Sequence, residues 1–122
     1  MTSFKLLIIP ILTLLISCND AENKKLIEGK WTCVDWTVKG QSKLDENVSV
    51  EFTFQADGKY EYRNASLYEK GSYKVRGGKL YTTPENELEI AVVIEKINAD
   101  TLVFNMSRGG TPESMFLVKT KL

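Results

Sequence analysis

The sequence predicts an all-β domain, a single antiparallel up-and-down barrel of about eight strands, with a short helical turn ahead of it. Three observations carry this. From Lys30 onward, apolar and polar residues alternate in segments of strand length. Turn signals, Asp57-Gly58, Gly77-Gly78 and Asn98-Ala99-Asp100 among them, separate these segments at fairly regular spacing. Strands joined by short hairpins make a meander, and closing a meander into a barrel removes the free edges that invite aggregation.

The chain opens with one base, Lys5, and an apolar stretch from Leu6 to Ile16 broken only by Pro10 and Thr13. This is the layout of a secretory signal, and it falls short of the ~20 apolar residues that a spanning helix needs. Its ending, Leu15-Ile16-Ser17-Cys18, resembles the lipobox of bacterial lipoproteins. The resemblance implies cleavage after Ser17, a diacylglycerol on the Cys18 thiol, and further acylation, with palmitate, of the new amine. It also implies a membrane partner through that lipid anchor and a place in the cell envelope, at the outer membrane. The expected organisation is therefore a signal peptide over 1–17, a lipidated cysteine and polar tether over 18–25, and a barrel domain over 26–122.

Within the tether, Asn19 to Lys25 show no apolar periodicity, whereas Lys24 to Glu28 predict one helical turn ended by Gly29. Strands are then expected near 30–38, 49–56, 59–64, 70–76, 79–83, 88–97, 101–107 and 115–121. Three hairpins carry their own register. A three-residue loop with Gly58 at the left-handed position sets Phe54 opposite Tyr60, Phe52 opposite Tyr62 and Glu51 opposite Arg63. A two-residue Gly77-Gly78 turn pairs Val75 with Leu80 and Tyr73 with Thr82, and the loop at Asn98 to Asp100 faces Ile94 with Phe104. Leu88, Ile90 and Val92 extend that apolar face on one strand, Leu102 and Met106 on the next, and Phe116, Val118 and Thr120 on the last. Strict alternation from Trp31 turns Cys33 and Asp35 inward and Val34, Trp36 and Val38 outward. A lone buried carboxylate is costly, so either a β-bulge frees Asp35 or the residue lies at the open mouth.

Composition narrows the functional classes. Lysine plus arginine and aspartate plus glutamate number 16 each, interleaved, which excludes the basic patch that nucleic acid requires. With Cys18 lipidated, Cys33 stands alone and no internal disulfide forms. There is no histidine, the commonest general base and transition-metal ligand, and no Gly-x-Ser-x-Gly elbow. No enzyme, metal site or cofactor is expected, and Cys33 reads as a core residue.

Gly29-Lys30-Trp31 matches the Gly-x-Trp that lipocalins carry at the first strand. Together with Phe54-Gln55-Ala56-Asp57-Gly58-Lys59-Tyr60, Lys70-Gly71-Ser72-Tyr73 and the Ile94 to Phe104 hairpin, it makes residues 26–121 resemble the small lipocalin-like domain lipoproteins of Bacteroidota. The resemblance implies a calycin-type barrel with the Trp31 ring plugging one end. Most members of that group have no established ligand, so it speaks to fold and compartment more than to activity.

In the registers above, Trp31, Phe52, Phe54, Tyr60, Tyr62, Tyr73, Phe104 and Phe116 all point inward, and they are the candidate ligand-binding residues. An eight-stranded barrel is just wide enough to be filled by side chains or to hold one small ligand. Two readings follow. In one, the barrel binds a small apolar or amphipathic molecule, with the tyrosine hydroxyls as a polar handle. In the other, the core is filled and the connections Lys39 to Val48, Asn64 to Glu69 and Arg108 to Ser114 dock or inhibit a protein partner.

Overall fold

The computed structural model describes residues 19–121. The signal peptide expected over 1–17 and the lipidation expected at Cys18 lie outside the described residues.

A helix, α1, covers residues 19–27, so the segment expected as a polar tether is helical from Asn19 onward. The missing apolar periodicity is no contradiction, because tertiary contacts hold a short helix more than its own propensity does. Asp20 accepts a hydrogen bond from the Gly77 backbone N–H at 3.0 Å, Lys24 donates to the Ala56 carbonyl at 3.2 Å, and Ile27 is fully buried. Glycine is required directly after the helix, since Gly29 has a φ of 127°.

Nine strands follow among the described residues: β1 (Gly29–Val38), β2 (Gln41–Ser42), β3 (Val50–Phe54), β4 (Lys59–Asn64), β5 (Leu67–Arg76), β6 (Lys79–Pro84), β7 (Ile90–Ile97), β8 (Thr101–Arg108) and β9 (Thr111–Lys119). Each from β3 to β8 pairs antiparallel with the next, and β1 pairs with both β3 and β9. The wall is thus a closed eight-stranded barrel, with β2 a two-residue extension folded back on the end of β1.

The hairpin registers agree with the alternation. Phe54 pairs with Tyr60, Phe52 with Tyr62, Val75 with Leu80, Tyr73 with Thr82 and Ile94 with Phe104. Two turns are tighter than expected. Ala65 takes a φ of 56°, which lets β4 reverse through Ala65-Ser66 and start β5 at Leu67; a non-glycine residue in that conformation leaves no mark in the sequence. Gly109 and Gly110, both with positive φ, turn β8 directly into β9 at Thr111. The supposed loops 64–69 and 108–114 are therefore mostly strand. At β7 the strand begins at Ile90, leaving Leu88 outside it and 87% exposed.

Asp35 is relieved by a β-bulge. The register between β1 and β9 shifts between Cys33 and Asp35, so Val34 stays outside while Trp36, expected outside under strict alternation, packs against the core. The other correction is on β9. Phe116 is 43% exposed and Val118 is exposed, while Met115 and Leu117 are buried. The inward set of that strand is the odd-numbered one, a one-residue error that moves every side chain to the opposite face.

Gly71 explains its Gly-x-Tyr motif. It pairs with both Tyr60 and Pro84, and a Cβ on it would lie 2.0 Å from the Thr83 carbonyl oxygen. That neighbour is backbone and cannot rotate away. Gly71→Ala is expected to destabilise the domain by about 1–3 kcal/mol, lowering Tm by roughly 5–20 °C in thermal denaturation. Ser72→Ala beside it should leave Tm nearly unchanged.

Candidate ligand-binding site

The two ends of the barrel differ because the rings are unequally shared between them. At one end Trp31 is completely buried and donates its indole N–H to the Ile27 carbonyl at 2.8 Å. The Lys119 ammonium lies 4.5 Å from the centre of the Trp31 ring and donates to the Leu26 and Glu28 carbonyls. Burial lowers the Lys119 pKa, and nearby Glu28 opposes that shift. Phe54 and Tyr73 complete this closed half, edge to face at 5.0 Å, with the Tyr73 hydroxyl donating to the Gln55 carbonyl at 2.6 Å.

Towards the other end the rings run out and a cavity of about 350 Å³ opens. Buried Tyr60, Leu80, Phe104 and Met115 form its floor. Trp36, Phe52, Tyr62, Val92 and Met106 line its sides, and Asn64, Leu67, Glu69, Thr82 and Ile90 its rim. The cavity is therefore mostly apolar, with a few convergent polar groups, as ligand sites generally are. Phe52 ties its wall together, 4.7 Å from Tyr62 and 5.9 Å from Phe104 between ring centres.

Hydroxyl and indole groups are anchored to polar side chains. The Tyr60 hydroxyl donates to Glu69 Oε2 at 2.7 Å, and burial followed by that hydrogen bond raises the phenol's pKa, keeping it a donor. The Tyr62 hydroxyl accepts from the Asn64 side-chain amide at 3.1 Å. Trp36 Nε1 donates to Glu113 Oε1 at 3.1 Å, which fixes the indole plane beside the cavity.

Of the eight aromatic candidates, Phe52, Tyr60, Tyr62 and Phe104 line the cavity. Trp31, Phe54 and Tyr73 are buried in the closed half and do not line it, and Phe116 faces away from the barrel interior. Alternation missed Trp36 and Glu69. Trp36 comes inward only because of the bulge, and Glu69 does so because β5 starts three residues earlier than its turn signals suggest. The tight two-residue Ala65-Ser66 turn extends β5 back to Leu67 and so carries the inward parity of Tyr73 and Gly71 to Glu69.

The larger space, about 560 Å³, is a groove on the outside of β4–β6 lined by Lys59, Glu61, Tyr68, Lys70 and Glu85 among others. Its mixed charges face solvent, and no converging apolar wall gives it the character of the mouth cavity. Among the described residues no cluster of three or more Cys, Asp or Glu side chains is placed to hold a metal.

The chain belongs to the lipocalin-like domain family, which matches residues 27–104. Its fold is shared by a lipocalin-like protein from Bacteroides uniformis, at a TM-score of 0.61 and 16% identity, with 78% of this chain and 99% of that chain covered. No curated protein gives a significant match.

Cys33, inside the barrel wall, donates to the Asp35 carbonyl at 3.3 Å, and burial pushes its thiol up to about 11. Against the ordinary 9.0 this reduces the thiolate near neutral pH about a hundredfold. Alkylation of the native protein by iodoacetamide should therefore be at least ~100-fold slower than in denaturant, as read by mass spectrometry. Because the folded thiol holds its proton longer than the unfolded one, its linkage removes stability as pH rises from 9.0 to about 11 and has no effect below that window. Cys33→Val should flatten this part of the stability profile in denaturant titrations.

Proposed function

We propose that the protein is a cell-envelope lipoprotein, not an enzyme, whose lipocalin-like barrel binds one small apolar or amphipathic molecule at its open end. The observation that carries this reading is the asymmetry of the interior. One half is packed by Trp31, Phe54 and Tyr73, while the other keeps about 350 Å³ of mostly apolar space. A core serving stability alone has no reason to leave such a void, since each lining atom without a neighbour forfeits dispersion contacts. The lack of histidine and the protonated Cys33 favour binding over catalysis.

An anchor at Cys18 gives the barrel an orientation. α1 starts beside the β5–β6 turn, where Asp20 holds Gly77, and this turn is at the closed end. Acyl chains on Cys18, at about 0.8 kcal/mol per buried methylene, hold the closed end at the bilayer and turn the cavity towards the aqueous side. Metabolic labelling with an alkyne palmitate analogue should tag the wild-type protein in the membrane fraction. Cys18→Ser should abolish the label and release the protein, whereas an unlabelled wild type overturns the anchor.

Ligand binding is testable on the mature domain with octanol as a neutral probe. Trp36 lines the cavity and Trp31 is sealed at the other end, so binding should alter Trp36 fluorescence, read as the change in emission that Trp36→Phe abolishes. Val92→Phe, which fills the cavity from its side, should weaken octanol binding at least about tenfold.

A further inference from the structure

Among the described side chains that line the mouth cavity, one is ionisable as a carboxylate and none as a base. That carboxylate is Glu69, half-buried at the rim. Its partner is the Tyr60 hydroxyl, which donates to Oε2 at 2.7 Å. A carboxylate has acceptor sites for several donors, so one hydrogen bond leaves it able to receive more. Glu69 also pairs directly across from Tyr62 on β4, and Tyr62 pairs across from Phe52 on β3. Acceptor and rings therefore stand side by side along one level of the barrel, above an apolar floor of Leu80, Phe104 and Met115.

From this juxtaposition we infer that the ligand is an amphiphile with a cationic head, of the alkylamine class, and not a carboxylate such as a fatty acid. The inference rests on the ligand-binding reading above and adds the chemistry of the head group. An ammonium head at Glu69 makes a charge-assisted hydrogen bond to the carboxylate, with the aromatic side chains of Tyr62 and Phe52 at neighbouring positions of the same cavity. The tail descends towards Phe104 and Leu80. A fatty-acid head in the same place would set one carboxylate against another, with a tyrosine donor already engaged by Glu69.

Isothermal titration of the mature domain with octylamine, octanoate and octanol separates the possibilities, because the three share a tail and differ in the head. Octylamine should bind at least about tenfold more tightly than octanoate, with octanol between them. In Glu69→Gln, which still accepts from Tyr60, the preference for the amine should collapse to within about twofold of octanol. Octanoate binding as well as octylamine, or an amine preference that survives in Glu69→Gln, would overturn the head-group assignment while leaving the pocket a binding site. Failure of all three, octanol included, removes the ligand-binding reading itself and the assignment with it.

Discussion

The contact on which the rest depends is the one that shuts the barrel at Trp31. The last turn of α1 ends with carbonyls that have no partner within the helix, and burying them unpaired would cost about 1–3 kcal/mol each. The Trp31 indole takes the Ile27 carbonyl, and the Lys119 ammonium takes those of Leu26 and Glu28 while resting on the indole face. A cation at this end also complements the helix dipole. Trp31 sits at the start of β1 and Lys119 at the end of β9, so the same two side chains that cap the helix bind the two strands whose pairing closes the barrel. Capping and closure are one interaction.

What this does to the interior is mostly a matter of volume. With a tryptophan, Phe54 and Tyr73 committed to the closed half, the remaining rings are spread around the wall of the open half and leave a cavity among them. The bulge at Val34 adjusts that distribution by returning Trp36 to the inside, where Glu113 holds it. A further register shift between Ile94 and Lys96 on β7 lets both Ile94 and Ile97 keep packing against the core. Closed barrels use such irregularities to bend strands without surrendering the apolar face. The polar groups of the mouth are correspondingly engaged, and among the described residues no buried side-chain nitrogen or oxygen lacks a partner.

Much of this architecture is legible in the sequence. The Asp57-Gly58 loop length followed from requiring Phe52, Phe54, Tyr60 and Tyr62 to share one face, and those pairs are the ones formed. Gly77-Gly78 and the Ile94–Phe104 facing pair followed in the same way. The failures have a common origin. Alternation through Phe116, Val118 and Thr120 puts Phe116 in the interior, but Met115 and Leu117 occupy the inside. Period-2 patterning cannot separate two apolar faces when both parities carry hydrophobic side chains, as in Met115-Phe116-Leu117-Val118. The extension of α1 from the expected turn at Lys24 back to Asn19, and the early start of β5, carry no amphipathic face and no glycine, the usual signs of such features.

The sequence by itself determined an antiparallel barrel and most of its registers, because alternation and turn chemistry are local and each hairpin can be checked against its own neighbours; the Trp31 plug came with the resemblance carried by Gly29-Lys30-Trp31. Only the tertiary structure decided which half of the barrel is full and which is open. It also decided that Trp36 and Glu69 belong to the opening. These properties depend on how ring volumes are distributed around a closed wall and on one-residue shifts at Val34 and at the Ala65-Ser66 turn. Such a shift alters no composition and little local preference, yet it exchanges the inside of a strand for its outside.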